Sequence, residues 1–454
     1  MDQAQEYDGA VSSKIHYLDF KKTSSQKNSL RENFIKGQKQ VSQKTDPKTF
    51  RTIENQVLEL KPSIPVYFIR PNSIKRAAKF FLENFKTPKL ASDVLYSVKS
   101  NPDVAVLRHL FESGIKHFDV ASMSEVKLIN ELFGQEEKGA VQMYFMHPIK
   151  SREAIFDAYF NHGIRDFSLD SFDELKKILE VTNNAKDLGL HVRLSIPNSH
   201  AAIDLSGKFG ILPSESIALL RKVRTAAKRL GICFHVGSQC MEPTEYRNAL
   251  NITKEVLEQS KVKLDVIDIG GGFPSSYPGM TPPNLRAYFD EIFDSIHQLK
   301  LDKNCRIWCE PGRALVAESG SLLVRVEARK KGMLYLNDGT YGGLFDAGFP
   351  GFIYPVKAIR ITSKEPVSLI NSPFGFYGPT CDSLDSMKGP FYLPENIAEG
   401  DYIEIGQLGA YSRSIRTDFN GFNKNLQIEV SDEPLVSMYQ EFEELEELEE
   451  KISA

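Results

Sequence analysis

The sequence predicts a (β/α)8 barrel followed by a mainly β domain. Three observations carry this reading. Between residues 71 and 320, short apolar runs alternate with amphipathic helical stretches. Two of these units repeat one another. From about residue 320 the pattern changes to alternating strands with Gly and Pro punctuation.

Eight strands are predicted in the first region: Val94–Val98, Phe118–Ala121, Val141–Met146, Phe167–Leu169, Val192–Ile196, Cys233–Val236, Val266–Ile269 and Ile307–Cys309. Helical patterns fill the gaps. After Asp103, the residues Val104, Leu107, Leu110 and Phe111 share one helical face, and Gly114 can end that helix. The repeat lies in FDVASMSEV (118–126) and FSLDSFDEL (167–175). Each runs from an apolar strand into Ser-x-x-Glu, and Ser122 with Glu125, like Ser171 with Glu174, has capping-box spacing. Eight such units in about 220 residues suggest a barrel, although strand count alone leaves an open doubly wound sheet possible.

The second region is read as residues 321–436. SLLVRVEARKKGMLYLND, DYIEIGQLGAY and NLQIEV alternate like strands. Residues 51–70, ending PVYFIR, are expected to return to this β domain. Residues 1–50 are polar and read as a poorly ordered arm. Residues 437–454 end in EFEELEELEEKISA, an acidic stretch of helical composition.

Composition narrows the function. The chain has 454 residues, and 56 Lys plus Arg nearly balance 60 Asp plus Glu, for a net charge of -4. That balance argues against nucleic acid or a membrane surface as the main partner. No apolar run approaches the length of a membrane span. The five cysteines, Cys233, Cys240, Cys305, Cys309 and Cys381, are odd in number and scattered, unlike a disulfide framework. No secretory h-region opens the chain, and Asp2, Glu6 and Asp8 do not suit a transit peptide. A cytoplasmic protein is expected.

Active groups of such barrels sit at the C-terminal strand ends. Lys99 closes LYSVKSNPD there. A lysine at that depth needs a salt bridge or a covalent bond to a carbonyl compound. His235 and Ser238 follow GICFHVGS. His235 can be a core residue, a metal ligand or an aromatic lid, and no second His stands at ligand spacing. Gly270, Gly271 and Gly272 follow LDVID and can close backbone N–H groups on an anion, or simply form a tight turn. Glu310, Pro311, Gly312 and Arg313 follow RIWC. Glu310 can meet a cationic heterocycle nitrogen and Arg313 a phosphate, or the two can pair. Cys381 and Asp382 lie in the polar loop GPTCDSLD, and Tyr411 ends LGAY.

The ordered set YSVKSNP, HVGSQC, DIGGGFP, EPGR, NDGTYG, GPTCDSLD, LGAY and FNGF, from residue 96 to 422, closely resembles the ornithine/diaminopimelate/arginine decarboxylase family, which has the alanine-racemase-like fold. GPTCDSLD resembles the eukaryotic-type ornithine decarboxylase branch in particular. The resemblance implies pyridoxal 5'-phosphate held by Lys99 as a Schiff base, bound in the barrel. It implies Asp119 and Arg193 lining the cofactor, and His235 stacked on its ring. Glu310 then partners the ring nitrogen. Ser238, Gly272, Arg313 and Tyr411 match phosphate-site positions, and Gly270, Gly271, Pro311 and Gly312 complete the implied cofactor-binding set. Cys381 acts as the acid that protonates the product carbon, and Asp382, with Tyr341 and Phe419 nearby, binds the substrate. A homodimer with active sites shared between subunits is implied, because Cys381 and Asp382 reach the other subunit in that family.

The implied activity is decarboxylation of a basic amino acid, ornithine or lysine, to a diamine of polyamine biosynthesis. The chain departs from the pattern at one point. The family's ornithine enzymes carry an acid nine positions after the Tyr of NDG-x-YG, where this chain has Pro350. Asp346, at plus five, either substitutes or leaves one charge-assisted contact missing, about 1.5–3 kcal/mol. Another or modified diamino acid, including diaminopimelate, is the alternative substrate. Asp382 argues against diaminopimelate. A non-catalytic regulator resembling the antizyme inhibitors is the alternative role.

Overall fold

The computed structural model describes residues 51–439, except 138, 198, 199, 204, 206 and 362–364. The arm at 1–50 and the tail from 440 onward lie outside the described residues. In chain order the first strands are β1 (Val66–Ile69), β2 (Ser92–Ser97), β3 (His117–Val120), β4 (Gln142–Phe145), β5 (Asp166–Leu169) and β6 (Gly189–Arg193). They are followed by β7 (Ala201–Ile203), β8 (Arg229–Cys233), β9 (Ser238–Cys240), β10 (Val266–Asp268) and β11 (Arg306–Cys309). Eight of these close a barrel in the order β10-β11-β2-β3-β4-β5-β6-β8, with every pairing parallel. An open sheet is thereby excluded. Strands β7 and β9 form a two-stranded ribbon beside it.

Two barrel strands start and end earlier than the apolar runs suggest. The ladder stops at Arg193 and Cys233, not at Ile196 and Val236. Leu194 N still donates to Cys233 O at 2.8 Å and Phe234 N to Asp268 O at 3.3 Å, while Ile196 and Val236 stay buried beyond the ladder. Their hydrophobicity reports burial rather than pairing. Both Ser-x-x-Glu turns cap helices. Ser122 accepts from Glu125 N at 3.3 Å, and Glu125 reaches back to Ala121 N at 2.7 Å. Ser171 accepts from Glu174 N at 3.2 Å. The Glu174 carboxylate instead faces buried Lys150, 3.0 Å from its Nζ. The helix Val104–Glu112 starts at Asp103, which accepts from Ala105 N at 2.9 Å.

The remaining strands are β12 (Gly320–Lys330), β13 (Met333–Leu336), β14 (Val356–Ile359), β15 (Asn371–Tyr377), β16 (Ser386–Pro394), β17 (Tyr402–Ile405) and β18 (Leu426–Glu429). They form one sheet along the path β14-β17-β12-β13-β15-β16. Strand β1 joins it, antiparallel to β12 and parallel to β18. This domain has its own core, including Leu322, Val324, Phe376 and Ile403. Among the described residues, no helix is long and apolar enough to cross a membrane.

Arg70 stands where β1 hands over to the first barrel helix, Pro71–Asn84. It is buried, and its Nη2 lies 2.5 Å from Glu404 Oε1 in β17. Its Nη1 donates to Ser321 Oγ in β12 at 3.0 Å. The pair thus ties the barrel entry to the sheet. A buried charge that loses its partner costs about 3–5 kcal/mol, whereas apolar replacement of both is nearly neutral. Glu404→Leu should therefore destabilise the protein by about that amount, and Arg70→Met with Glu404→Leu should recover most of it. Urea unfolding of the three proteins measures this. A single variant within about 1 kcal/mol of wild type would show that the pair does not hold the junction.

Candidate active site

Lys99 lies in a single helical turn, Val98–Ser100, immediately after β2. Its Nζ donates to Asp119 Oδ2 at 2.6 Å and to Ser97 Oγ at 3.4 Å. Asp119, at the end of β3, is buried and also accepts from Ser97 Oγ at 2.9 Å. Burial works against the Lys99 charge, but Asp119 and Glu310 outweigh it and hold the ammonium above the ordinary lysine pKa. The Lys99 side chain keeps 42% exposure, so it is reachable from outside the barrel.

Glu310 follows β11 and is buried. Burial lifts its pKa well above the usual carboxylate range, and Asp268 and Asp119 push it further. Asp268 ends β10 and is raised in turn, first by burial. Its Oδ1 accepts from Gly270 N at 2.9 Å, while its Oδ2 has no partner. Burial thus pushes both carboxyls toward their protonated forms.

His235 follows β8. Gly237 N donates to its Nδ1 at 3.0 Å, which leaves the hydrogen of the neutral ring on Nε2. Burial first, then Arg193 and Lys99, push the His235 pKa far down. The neutral ring lies close to Gly271, where a Cβ would stand 3.1 Å from Nε2 and 2.7 Å from Glu310 O. Gly270 and Gly272 take positive φ, 68° and 110°. This turn needs glycine for both reasons. Arg193, at the end of β6, lies 5.6 Å from the Phe209 ring.

Arg313 opens a short helix, Arg313–Val316, after Pro311 and Gly312. Pro311 O accepts from Ser97 N at 3.3 Å, locking this turn to β2. The guanidinium is buried. Nη1 donates to Tyr277 Oη at 2.9 Å, and Nη2 reaches Ser238 Oγ at 3.5 Å. Its Nε is buried without a partner. Tyr411 stands with its ring 5.0 Å from Arg313, at φ 54°, and its N–H donates to Ser100 O at 2.8 Å.

A second cluster lies in the β domain. Tyr341 Oη donates to Asp382 Oδ2, and the Tyr341 and Phe419 rings are 4.9 Å apart. The Leu384 N–H and then Tyr341 hold the Asp382 carboxyl below its usual pKa. Cys381 is exposed, whereas Cys233, Cys240, Cys305 and Cys309 are buried. Its N–H donates to Asn420 Oδ1 at 3.1 Å. Among the described residues, no hydrogen bond or ion pair links Cys381 or Asp382 to the Lys99 group.

Asp346, one of two options for the acid at the substrate end, is buried and lies 3.3 Å from Arg313 Nη2. The short helix Phe345–Gly348 carries it to Arg313 of the barrel. Sequence reasoning missed Asp268, Ser97 and Tyr277. Asp268 had a signal: it is a charged residue at a strand end, directly before the glycine turn.

These groups fit pyridoxal phosphate. Buried carboxyls without a cation suit a protonated ring nitrogen. A buried guanidinium with an idle N–H suits a phosphate, beside a glycine turn into which no Cβ fits. Lys99 stands between the two ends.

Comparisons with known proteins agree. Residues 72–317 match the family model described as pyridoxal-dependent decarboxylase, pyridoxal binding domain. A lysine/ornithine decarboxylase of Selenomonas ruminantium is 30% identical over 395 residues, covering 85% of this chain and 95% of that one. Antizyme inhibitor 2 of Xenopus laevis is 29% identical, covering 73% of this chain and 74% of that one. The solved lysine/ornithine decarboxylase of Vibrio vulnificus, complexed with cadaverine, superposes with a TM-score of 0.68 at 28% identity, covering 84% of this chain and 98% of that one. With a pyridoxal-binding match across its whole barrel, and the charged groups of that barrel disposed to hold the cofactor, the chain belongs to the family of pyridoxal-phosphate-dependent decarboxylases.

Proposed function

We propose that this protein decarboxylates a basic L-amino acid, ornithine or lysine, to the corresponding diamine. The observation that carries the proposal is the charge order of the barrel mouth: carboxyls at Glu310 and Asp268, the Lys99 amine, then the Arg313 guanidinium. Pyridoxal phosphate, when bound, supplies a ring that accepts the electron pair left at Cα as CO2 departs.

The residues divide the remaining work. Lys99 would hold the cofactor, with Asp119 steering its amine. Glu310 would keep a proton at the ring nitrogen, backed by Asp268. The neutral His235 ring would cover one face, with Arg193 at its edge. Ser238, Gly270, Gly271, Gly272, Gly312, Arg313 and Tyr411 would hold the phosphate. The Cys381 thiol would deliver a proton to Cα. Asp382, oriented by Tyr341 beside Phe419, would bind the distal ammonium.

A homodimer with sites shared between subunits is part of this reading, with Cys381 and Asp382 serving the partner's Lys99. The protein is read as cytoplasmic. Similarity to an antizyme inhibitor favours a second reading, a fold retained without catalysis. The complete set of charged groups around Lys99 speaks for the enzyme.

Purified protein with pyridoxal phosphate should release CO2 from ornithine or lysine, with the matching diamine found by mass spectrometry. No CO2 from either, with release from diaminopimelate or another diamino acid, would overturn the substrate. No release from any would favour the regulator. For the shared site, Lys99→Ala and Cys381→Ala proteins should each be nearly inactive alone. An equal mixture, after subunit exchange, should regain about a quarter of wild-type activity, because half the dimers carry one intact site. A mixture no more active than its parents would place both residues in one chain's site.

A further inference from the structure

The Arg313 guanidinium already has an anion. Its Nη2 lies 3.3 Å from Asp346 Oδ2 and 3.5 Å from Ser238 Oγ, and both residues it touches there are held at the same nitrogen. The Asp346 carboxylate is buried, with Arg313 as its sole hydrogen-bond donor among the described residues. One long bond is a weak hold on a buried charge. The groups facing it are Arg313, from the helix after β11, Tyr277, from the loop after β10, and Tyr354, from the segment before β14. Tyr277 spends its hydroxyl on Arg313 Nη1. Among the described residues, no other cation forms an ion pair with Asp346.

We propose that Asp346 is an internal competitor for Arg313, and that it sets how tightly the protein grips the phosphate of its cofactor. This rests on the reading of Arg313 as a phosphate ligand. A phosphate brought to Arg313 meets the Asp346 carboxylate on the same guanidinium. The two anions repel in a site with little water to screen them. The phosphate must share the guanidinium, displace the carboxylate, or bind as the carboxyl takes up a proton. Each of these routes costs affinity. Asp346 is thus a positioning residue for Arg313 and a brake on cofactor retention.

Asp346→Asn keeps an oxygen for Arg313 Nη2 and removes the charge. Equilibrium dialysis of full-length protein should find pyridoxal phosphate bound roughly tenfold or more tightly by this variant than by wild type. Binding of pyridoxal, which lacks the phosphate, should not change. The wild-type affinity for pyridoxal phosphate should fall more steeply with rising pH than that of the variant, because a charged Asp346 repels the phosphate and a neutral one does not. Unchanged or weaker binding of pyridoxal phosphate by Asp346→Asn overturns the proposal, and so does equal tightening toward pyridoxal. Should Asp346→Asn fail to fold, Asp346→Ser carries the same test with the same expected sign. Arg313→Gln separates the two readings. If it weakens pyridoxal phosphate and spares pyridoxal while Asp346→Asn changes nothing, only the role of Asp346 falls. If Arg313→Gln leaves that preference intact, Arg313 is not the phosphate ligand.

Discussion

Glu310 and Asp268 are both buried at neighbouring strand ends of the barrel, each pushed toward its protonated form, with no ion pair to either among the described residues. Taking a charge out of water costs several kcal/mol unless a partner compensates. A fold that keeps two carboxyls there needs a reason outside ordinary stability. A protonated heterocycle nitrogen is such a reason, since it turns a liability into a charge-assisted hydrogen bond. At the opposite end of the site stands a buried guanidinium held by one long contact to Asp346. Arg313 is buried with one N–H idle. The barrel mouth therefore has a negative end and a positive end, with the Lys99 amine between them. The other features serve that separation. Barrel closure brings β10, β11, β2 and β3 side by side, so that Asp268, Glu310, Lys99 and Asp119 arrive from four neighbouring strands.

The β domain completes the arrangement in two ways. It brings Tyr411 to the Arg313 end through a backbone bond to Ser100. It also carries a polar loop with Cys381 and Asp382, whose Tyr341 contact orients a carboxylate that solvent still reaches. Titratable groups are thus divided between the domains: the barrel carries Glu310, Asp268, Lys99 and Arg313, and the loop carries Cys381 and Asp382.

Much of this was legible in the sequence because barrels put function at strand ends, and strands of buried apolar residues are easy to read. All eight barrel strands were found. Their limits were not, at β6 and β8, because Ile196 and Val236 are buried without being in the ladder. The capping serines were readable because a cap is local. The use of Glu174 by Lys150 was not, because it spans 24 residues and two loops. Lys99, His235, Glu310 and Arg313 were found as residues costly to bury. Asp268 has the same signal but was passed over beside the glycines that follow it. Asp346 was noticed for its spacing, yet its partner Arg313 lies 33 residues away on another domain's helix, a contact that only the folded chain reveals.

The central claim is that Lys99, set between the carboxyl pair and the guanidinium, is where the cofactor is attached. Borohydride reduction of the native protein followed by peptide mass mapping tests it directly. The account predicts a pyridoxyl group on the peptide containing Lys99 and on no other lysine. A pyridoxyl group found elsewhere, or on no lysine at all, would contradict it.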